Sequence, residues 1–305
     1  MTSFRVLILL CAVSIVPLTQ LSANDLPSAN PIPMKLVGKM NFAPIVESSG
    51  IVRSKLWPDW LWTHNDSGDS ARIFAVRKSG TIIKPTWAAD NYQGLEIKEA
   101  ANIDWEDIAT DESGNLIIAA CGNNSNARRD LAIYVFPEPN ATQVIATRTF
   151  HRYDFIYPDQ LDFPPLDNNY DCEAIFFARG KIYILTKHRA DTHTKLYRFD
   201  SLDPIGMNVP TMIGEFDVQG RVTGADVSED GTRLAVLTYR HVWLFKSDRK
   251  KDNYFEGSVY WAPLNTLATK NCESLCFWDE DSLLIGNEER ELYEIKASDL
   301  LELQL

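Results

Sequence analysis

Short apolar runs recur along the chain, each separated from the next by a polar turn. One unit consists of Asp104-Trp105-Glu106-Asp107-Ile108-Ala109, a turn over Thr110 to Asn115, and the apolar run Leu116 to Cys121. The same order of an acid-led strand, a turn and a second apolar strand begins again near Glu47, Asp171, Thr223 and Asn271. Copies built from strands and spaced about 40–60 residues apart predict a propeller or a related array.

Two further strands follow each opening pair, which predicts four strands per blade. The first blade would take its fourth strand from Thr81 to Trp87, and the second blade from Gln143 to Phe150. The fifth copy supplies only a third strand, Glu291 to Ile295, so we expect Lys35 to Met40 to complete that blade and close the ring. Closure removes exposed strand edges. The pattern predicts an all-β, five-bladed β-propeller of four antiparallel strands per blade, with a helical turn only near Ser298 to Leu303.

The N-terminus has the composition of a targeting segment. Arg5 precedes the apolar run Val6 to Leu18, and small residues ending at Ala23 precede a polar stretch. These features predict a signal peptide over residues 1–23, an irregular leader over 24–34 and one propeller domain over 35–305. We therefore expect a periplasmic or secreted protein without a transmembrane segment, because the apolar run is too short to span a bilayer.

Charge excludes one class of partner. The chain carries 30 Lys and Arg against 42 Asp and Glu, a formal net charge of −12. A nucleic-acid surface needs a basic stripe to replace phosphate counterions, so we expect no nucleic acid. Glycine-rich phosphate loops are absent, and we expect a monomer with no organic cofactor. After signal cleavage Cys121, Cys172, Cys272 and Cys276 remain, either as buried thiols or with one bridge.

Propeller geometry brings the start of each first strand and the end of each second strand to one mouth of the central channel. One position of the repeat carries Ser49, Glu106, Glu173 and Glu273, whereas the fourth blade has Ala225 there, with Asp226 facing the other side. Converging carboxylates repel one another unless a cation neutralises them, and oxygen ligands suit Ca²⁺. We predict Ca²⁺ on these four residues; alternatively, each glutamate caps backbone N–H groups or pairs with Lys187 or Arg240.

Polar residues at the second-strand ends predict a ligand-binding mouth beside that ring. The candidates are His64, Asn65, Asp66, Asn123, Lys187, Tyr239, Arg240 and Glu288. If the site is catalytic, Glu106 or Asp66 would act as the base. Trp105 is expected to pack between blades, and Asp107 has no assigned role.

The order of the motifs resembles the SdiA-regulated family of exported five-bladed propellers. The resemblance rests on Ser49-Gly50-Ile51, Trp105-Glu106-Asp107-Ile108, Cys172-Glu173-Ala174-Ile175, Val222-Thr223-Gly224-Ala225-Asp226 and Cys272-Glu273-Ser274-Leu275. Similar acid-led repeats occur in the calcium-activated apyrases, where a Ser/Glu ring holds Ca²⁺ and nucleotides are hydrolysed. Thr63-His64-Asn65-Asp66-Ser67-Gly68 and Asp104-Trp105-Glu106-Asp107-Ile108 also resemble bacterial phytase-like propellers. The resemblance implies the propeller fold and Ca²⁺ on Ser49, Glu106, Glu173 and Glu273.

Two functions follow from these expectations. In the first, an exported propeller holds a divalent cation at its channel and binds a small-molecule or protein ligand at the mouth. In the second, the protein is a metal-dependent hydrolase of phosphoesters or nucleotides, with Lys187 and Arg240 holding phosphate. Ala225 at the fourth ring position and the lack of a self-sufficient catalytic dyad favour binding.

Overall fold

The computed structural model describes residues 26–304, which form five sheets around a central axis. The prediction of an all-β, five-bladed propeller is confirmed. In chain order, the strands of residues 26–304 are β1 (Lys35–Lys39), β2 (Ser48–Arg53), β3 (Trp60–Asn65), β4 (Arg72–Arg77), β5 (Ile82–Ile83), β6 (Leu95–Lys98), β7 (Ile108–Thr110), β8 (Asn115–Ala120), β9 (Ala132–Pro137), β10 (Ala146–Arg148), β11 (His151–Asp154), β12 (Asp171–Ala178), β13 (Lys181–Lys187), β14 (His193–Phe199), β15 (Thr211–Asp217), β16 (Val222–Val227), β17 (Arg233–Thr238), β18 (His241–Lys246), β19 (Ser258–Pro263), β20 (Cys272–Phe277), β21 (Ser282–Asn287), β22 (Glu291–Lys296) and β23 (Leu301–Leu303).

The ring closes as the sequence predicts. Strand β1 pairs antiparallel with β22 and completes the sheet β1-β22-β21-β20 of the fifth blade. The Lys39 ammonium lies 3.2 Å from the Glu291 carboxylate at one end of that pair. Because the N-terminal strand supplies the outer edge of the last blade, the two ends of the propeller hold each other without a covalent link.

Alternating side chains of each strand fill the gaps on both sides of its blade. In β8, Leu116, Ile118 and Ala120 pack with the first blade, whereas Ile117 and Ala119 pack with the third. Such two-sided burial explains the near-continuous apolar runs of the second strands. Trp105 is fully buried between the first two blades, with its indole Nε1 donating to Ala101 O at 3.0 Å, as expected for a packing residue.

Several predicted boundaries are wrong. The second blade takes β11 as its fourth strand, in the order β11-β9-β8-β7, whereas β10 pairs in parallel with β6 beside the first blade. The fourth strand of the first blade, predicted over Thr81 to Trp87, is only the two-residue strand β5. The turn at Ala297–Asp299 is a 3-10 helix followed by β23, which adds a fifth strand to the fourth blade. Two short helices, Tyr254–Glu256 (3-10) and Thr266–Thr269 (α), were not predicted.

The leader continues as irregular chain from residue 26, and Ile32 N donates to Pro263 O of the fourth blade at 2.9 Å. The predicted signal peptide lies outside the described residues. Within residues 26–304, no helix is both long and apolar enough to cross a membrane.

The inner strands meet at one level of the central axis. Gly50 N donates to Glu106 O at 3.1 Å, and a Cβ on Gly50 would lie 2.7 Å from the Asp107 Cα, so only glycine fits. The buried Asp107 carboxylate accepts from the N–H groups of Ile108 at 2.9 Å, Ile175 at 3.0 Å and Ala225 at 3.4 Å. These donors belong to blades two, three and four, so Asp107 links blades across the axis and separates two mouths.

Candidate functional site

Irregularities in the ladder place the predicted ring residues. In blades three and five the pairing of the first two strands skips one residue, Glu173 or Glu273, and in the first blade it skips Ser49 and Gly50. A β-bulge re-aims the extra residue away from the ladder. In the fourth blade the skipped residue is Thr223, so the prediction that Ala225 occupies the equivalent position is wrong. Ala225 instead donates its N–H to Asp107.

The two hydroxyl residues of the ring bind the backbone of the next blade. Ser49 Oγ donates to Glu106 O at 2.5 Å, and Thr223 Oγ1 donates to Cys272 O at 2.9 Å. Both residues are buried. Their protons are therefore used between blades, and the ring positions differ in role: two hydroxyls join blades and three carry carboxylates.

Five carboxylates gather at this end of the channel, which we call the acidic mouth. Single oxygens of Asp66, Asp104 and Glu106 all lie within 4.8 Å of one another, and so do single oxygens of Glu106, Asp171 and Glu173. Glu106 belongs to both groups, whereas Glu273 belongs to neither. The structure thus brings together two of the three predicted ring glutamates with three further acids.

Glu106 is the least compensated of these carboxylates. The residue is only 7% exposed, and its carboxylate accepts no hydrogen bond from residues 26–304. Burial raises its pKa well above the usual value, and the carboxylates of Glu173, Asp66 and Asp104 add to that effect. Burial and the Asp66 carboxylate likewise raise the pKa of Asp104 to about 6.

A glycine makes room for the same two carboxylates. A Cβ on Gly122, which follows the second strand of blade two, would lie 1.9 Å from Glu106 Oε1 and 2.6 Å from Asp104 Oδ2. Any side chain would displace both acids. Gly122 N donates to Asp104 O at 3.1 Å, which keeps this backbone in contact with the cluster.

Basic side chains neutralise some of the charge. The Lys187 ammonium lies 2.6 Å from Glu173 Oε1, and the Arg189 guanidinium lies 2.5 Å from Asp171 Oδ2. Arg128 donates to Gly122 O at 2.5 Å and attracts the Asp104 carboxylate less directly, through its charge. The ion pair between Glu173 and Lys187 is the arrangement that the sequence left as the alternative to a metal ligand.

Glu273 lies in a separate environment beside Tyr239 and Glu288. Burial raises its pKa to about 8; the Lys187 charge and the Tyr239 hydroxyl oppose this rise, and Glu288 adds to it. Tyr239 also presents its ring to the Lys187 ammonium at 5.4 Å. Lys187 therefore connects the Glu173 and Glu273 environments.

The remaining predicted ligand residues fall into two sets. His64, Asn65 and Asn123 are buried and contact other parts of the fold. The His64 ring packs edge-on against Trp105, with 5.7 Å between ring centres. Asn65 Nδ2 donates to Pro44 O at 2.8 Å, and Asn123 N donates to Asp171 Oδ1 at 2.6 Å. Arg240 and Glu288 are exposed. Glu288 accepts from Asn271 Nδ2 at 3.2 Å. Their roles in ligand binding stay predictions.

Sequence reasoning did not select Asp104 and Asp171 as site residues. Each stands two residues before a ring glutamate, in Asp104-Trp105-Glu106 and Asp171-Cys172-Glu173, and no other ring position has this spacing. That shared Asp-x-Glu pattern in neighbouring blades was the available signal. Its meaning depends on the ring position, because only blades adjacent in space can pool their acids.

The far ends of the inner strands line the opposite mouth, a cavity of about 800 Å³. Its lining includes four aspartates whose carboxylates accept backbone N–H groups: Asp111, Asp226, Asp230 and Asp279. Arg53 and Arg233 donate to the carbonyl oxygens of Trp278 and Glu280, both at 2.5 Å. Acids are numerous at this mouth too, but these aspartates have proton donors.

All four cysteines within the described residues are buried free thiols. Cys121 and Cys172 lie near each other in the core between blades two and three, directly below the acidic mouth. The expectation of buried thiols in sheets is therefore met in this structure.

Comparisons with known proteins add nothing to these conclusions beyond fold likeness. Neither the family models nor the curated proteins give a match. Among solved structures, the chain is similar to the β-propeller domain of Cps50 (Swd1) from Myceliophteria thermophila, with 10% identity, 87% of this chain and 100% of that chain covered, and a TM-score of 0.44. It is also similar to the PQQ-bound aldose sugar dehydrogenase from Streptomyces coelicolor, with 10% identity, 87% and 98% covered, and a TM-score of 0.45.

Proposed function

We propose that the protein is an exported β-propeller that binds one divalent cation, preferably Ca²⁺, at its acidic mouth and uses that mouth to bind an oxygen-rich ligand or partner. Asp66, Asp104 and Glu106 would supply the protein ligands. The observation that carries the proposal is Glu106, a residue only 7% exposed whose carboxylate lies among other acids and accepts no hydrogen bond from residues 26–304. An ionised carboxylate in that setting costs several kcal/mol unless it is protonated or paired with a cation.

Net charge supports a divalent cation at the acidic mouth. Its five carboxylates face three basic side chains, Lys187, Arg189 and Arg128, and Arg128 also pairs with Asp130 at 3.1 Å. Complete ionisation would therefore leave a net negative charge, which a divalent cation would offset. Because Lys187 and Arg189 already pair with Glu173 and Asp171, the group Asp66, Asp104 and Glu106 is the better place for that cation.

The donor set favours Ca²⁺ over other metals. All the candidate ligands are carboxylate oxygens, and neither group includes the nitrogen or sulfur that zinc commonly takes. Ca²⁺ accepts six to eight oxygens at flexible separations, whereas Mg²⁺ demands near-ideal octahedral geometry. Asp66 and Asp104 are partly exposed, so a bound cation would keep positions open toward the mouth. Carboxylate, phosphate or hydroxyl oxygens of a ligand could fill them.

The hydrolase hypothesis gains no specific observation. It needs Lys187 and Arg240 to hold phosphate, but the Lys187 ammonium is buried on Glu173. Arg240 is exposed and no carboxylate of residues 26–304 pairs with it, so it alone of the two is open to a phosphate. Because Lys187 is committed to Glu173, a binding module accounts for more of the geometry.

A thermal melt in EDTA and then in excess Ca²⁺ tests the proposal. A ligand present at about 100 times its Kd stabilises the native state by about 2.7 kcal/mol, so the midpoint should rise by several degrees. Glu106→Gln should abolish this rise, since it removes the central carboxylate charge. The control Glu138→Gln changes another buried glutamate, which binds Ser54 and Trp62 instead, and should keep the Ca²⁺ response despite lower stability.

The absence of a shift in the wild-type protein would disprove the cation site. If Ca²⁺ binds, release of inorganic phosphate from nucleotides or p-nitrophenyl phosphate separates the two functions. We expect the wild-type protein to release phosphate no faster than Glu106→Gln does. Phosphate release by the wild type that Glu106→Gln abolishes would favour the hydrolase.

A further inference from the structure

Lys187 places a fixed positive charge inside the acidic mouth. It ends β13, and only 6% of the residue is exposed. Its ammonium contacts Glu173 Oε1 at 2.6 Å and lies 5.4 Å from the centre of the Tyr239 ring. A buried ammonium is costly unless strong partners surround it, so this position is built for a cation.

The carboxylate that Lys187 binds belongs to the second of the two acid groups. Glu106, Asp171 and Glu173 are all buried and have oxygens within 4.8 Å of one another. These three residues thus have the donor type and spacing of a second cation site, sharing Glu106 with Asp66 and Asp104. Glu106, which accepts no hydrogen bond from the described residues, points into both groups.

We propose that Lys187 is the built-in cation of this second subsite and that it fixes the cation stoichiometry of the acidic mouth at one. The inference rests on the proposed cation site at Asp66, Asp104 and Glu106. A tethered ammonium on Glu173 repels a divalent ion next to it and occupies the oxygen that such an ion would need. Without it, the mouth would offer two subsites that share Glu106.

The surroundings of Lys187 agree with a permanent charge. Burial opposes the charged form, but the nearby Glu173 carboxylate outweighs it and raises the pKa of Lys187 above its usual value, with Glu273 adding to the effect. Arg189 pairs with Asp171 Oδ2 at 2.5 Å, and Asn123 N donates to Asp171 Oδ1 at 2.6 Å, so Lys187 holds the carboxylate of this group that these two donors do not reach.

Equilibrium dialysis against Ca²⁺ with elemental analysis tests the inference. The wild-type protein should bind one equivalent. Lys187→Met keeps about the length of the side chain and removes its charge. This variant should bind two equivalents of Ca²⁺, and its melting temperature should rise more on addition of Ca²⁺ than that of the wild type. Lys187→Arg retains the cation and should bind one equivalent, and the control Lys250→Met, at an exposed loop residue outside the acidic mouth, should also bind one.

Each result decides a different point. No binding to the wild-type protein would overturn both the cation site and this inference, whereas one equivalent in both the wild type and a folded Lys187→Met would overturn the inference alone. Two equivalents in the wild type would also overturn it, even if Lys187→Met fails to fold. Glu173→Gln provides a further check: it should still bind one equivalent, because Glu173 is not a ligand of the proposed site. Loss of Ca²⁺ binding in this variant would show that the single cation binds at Glu106, Asp171 and Glu173 instead, and would overturn the inference.

Discussion

The two mouths of the propeller contain similar side chains but treat their charges differently. At the opposite mouth, Asp226 accepts from Phe277 N at 2.8 Å and Asp279 accepts from Ser282 N at 2.7 Å, so backbone donors stabilise these charges. At the acidic mouth, Glu106 has carboxylate neighbours and no donor among the described residues. A count of acids therefore does not identify a cation site; the absence of compensating donors does.

Asp107 separates the two mouths, and its removal should have the largest effect. Asp107→Asn replaces one acceptor oxygen by a donor that faces backbone N–H groups from two other blades. We expect a loss of about 3 kcal/mol in the free energy of unfolding, measured by urea titration, because buried donors lose their partner. The Ca²⁺-dependent rise in melting temperature should persist. A loss below about 1 kcal/mol would show that the axis does not depend on this carboxylate.

Gly122→Ala should damage the acidic mouth alone. Its methyl group would overlap the carboxylates of Glu106 and Asp104, so we expect about 1–3 kcal/mol of destabilisation and loss of the Ca²⁺ response in thermal melts. Gly220→Ala is the matched control, since its nearest neighbour is the Thr238 side chain at 3.1 Å, away from the acids. An unchanged Ca²⁺ response in Gly122→Ala would contradict the placement of the cation.

Asp226, at the opposite mouth, should make the free energy of unfolding depend on pH. Burial raises its pKa to about 6 in the folded protein, although two backbone donors oppose this rise. Because the folded pKa exceeds the unfolded one, the contribution to stability is complete below about pH 4 and is lost as pH rises through 6. In urea titrations, the fall in the free energy of unfolding between pH 4 and 7 should be about 2 kcal/mol smaller in Asp226→Asn than in the wild type. An equal fall in both proteins would show that another group is responsible.

Glu280→Gln at the rim of the opposite mouth should have the smallest effect. The side chain is exposed, and its carboxylate has no partner among residues 26–304. Surface substitutions of this kind change stability by less than about 0.5 kcal/mol. Both the urea midpoint and the Ca²⁺ response should match the wild type; a reduced Ca²⁺ response would mean that this mouth also attracts the ion.

The sequence predicted the blades well because their signal is local. The apolar run of β8 and the polar turns on either side of it depend only on neighbouring residues, and the incomplete fifth copy requires an N-terminal partner for β22. Strands that pair between blades carry no such signal. Ala146–Arg148 was assigned to the second blade because nothing in its composition reveals its parallel partner β6.

The site was only partly predictable for a similar reason. Glu106 and Asp66 were selected from their repeat positions, but a bulge decides where each ring residue points, and the alignment of Ala225 with Glu173 failed by two residues at the bulge of Thr223. Grouping into Asp66, Asp104 and Glu106 depends on which blades are neighbours and on the space left by Gly122. Both depend on contacts between blades, which the sequence of a single repeat does not encode.

Anomalous scattering from a crystal soaked in Mn²⁺ or a lanthanide would compare the two mouths directly. The account predicts one strong peak among the carboxylates of Asp66, Asp104 and Glu106 and none in the cavity of the opposite mouth. A peak beside Asp226 or Asp279, or no peak in the acidic mouth, would contradict it.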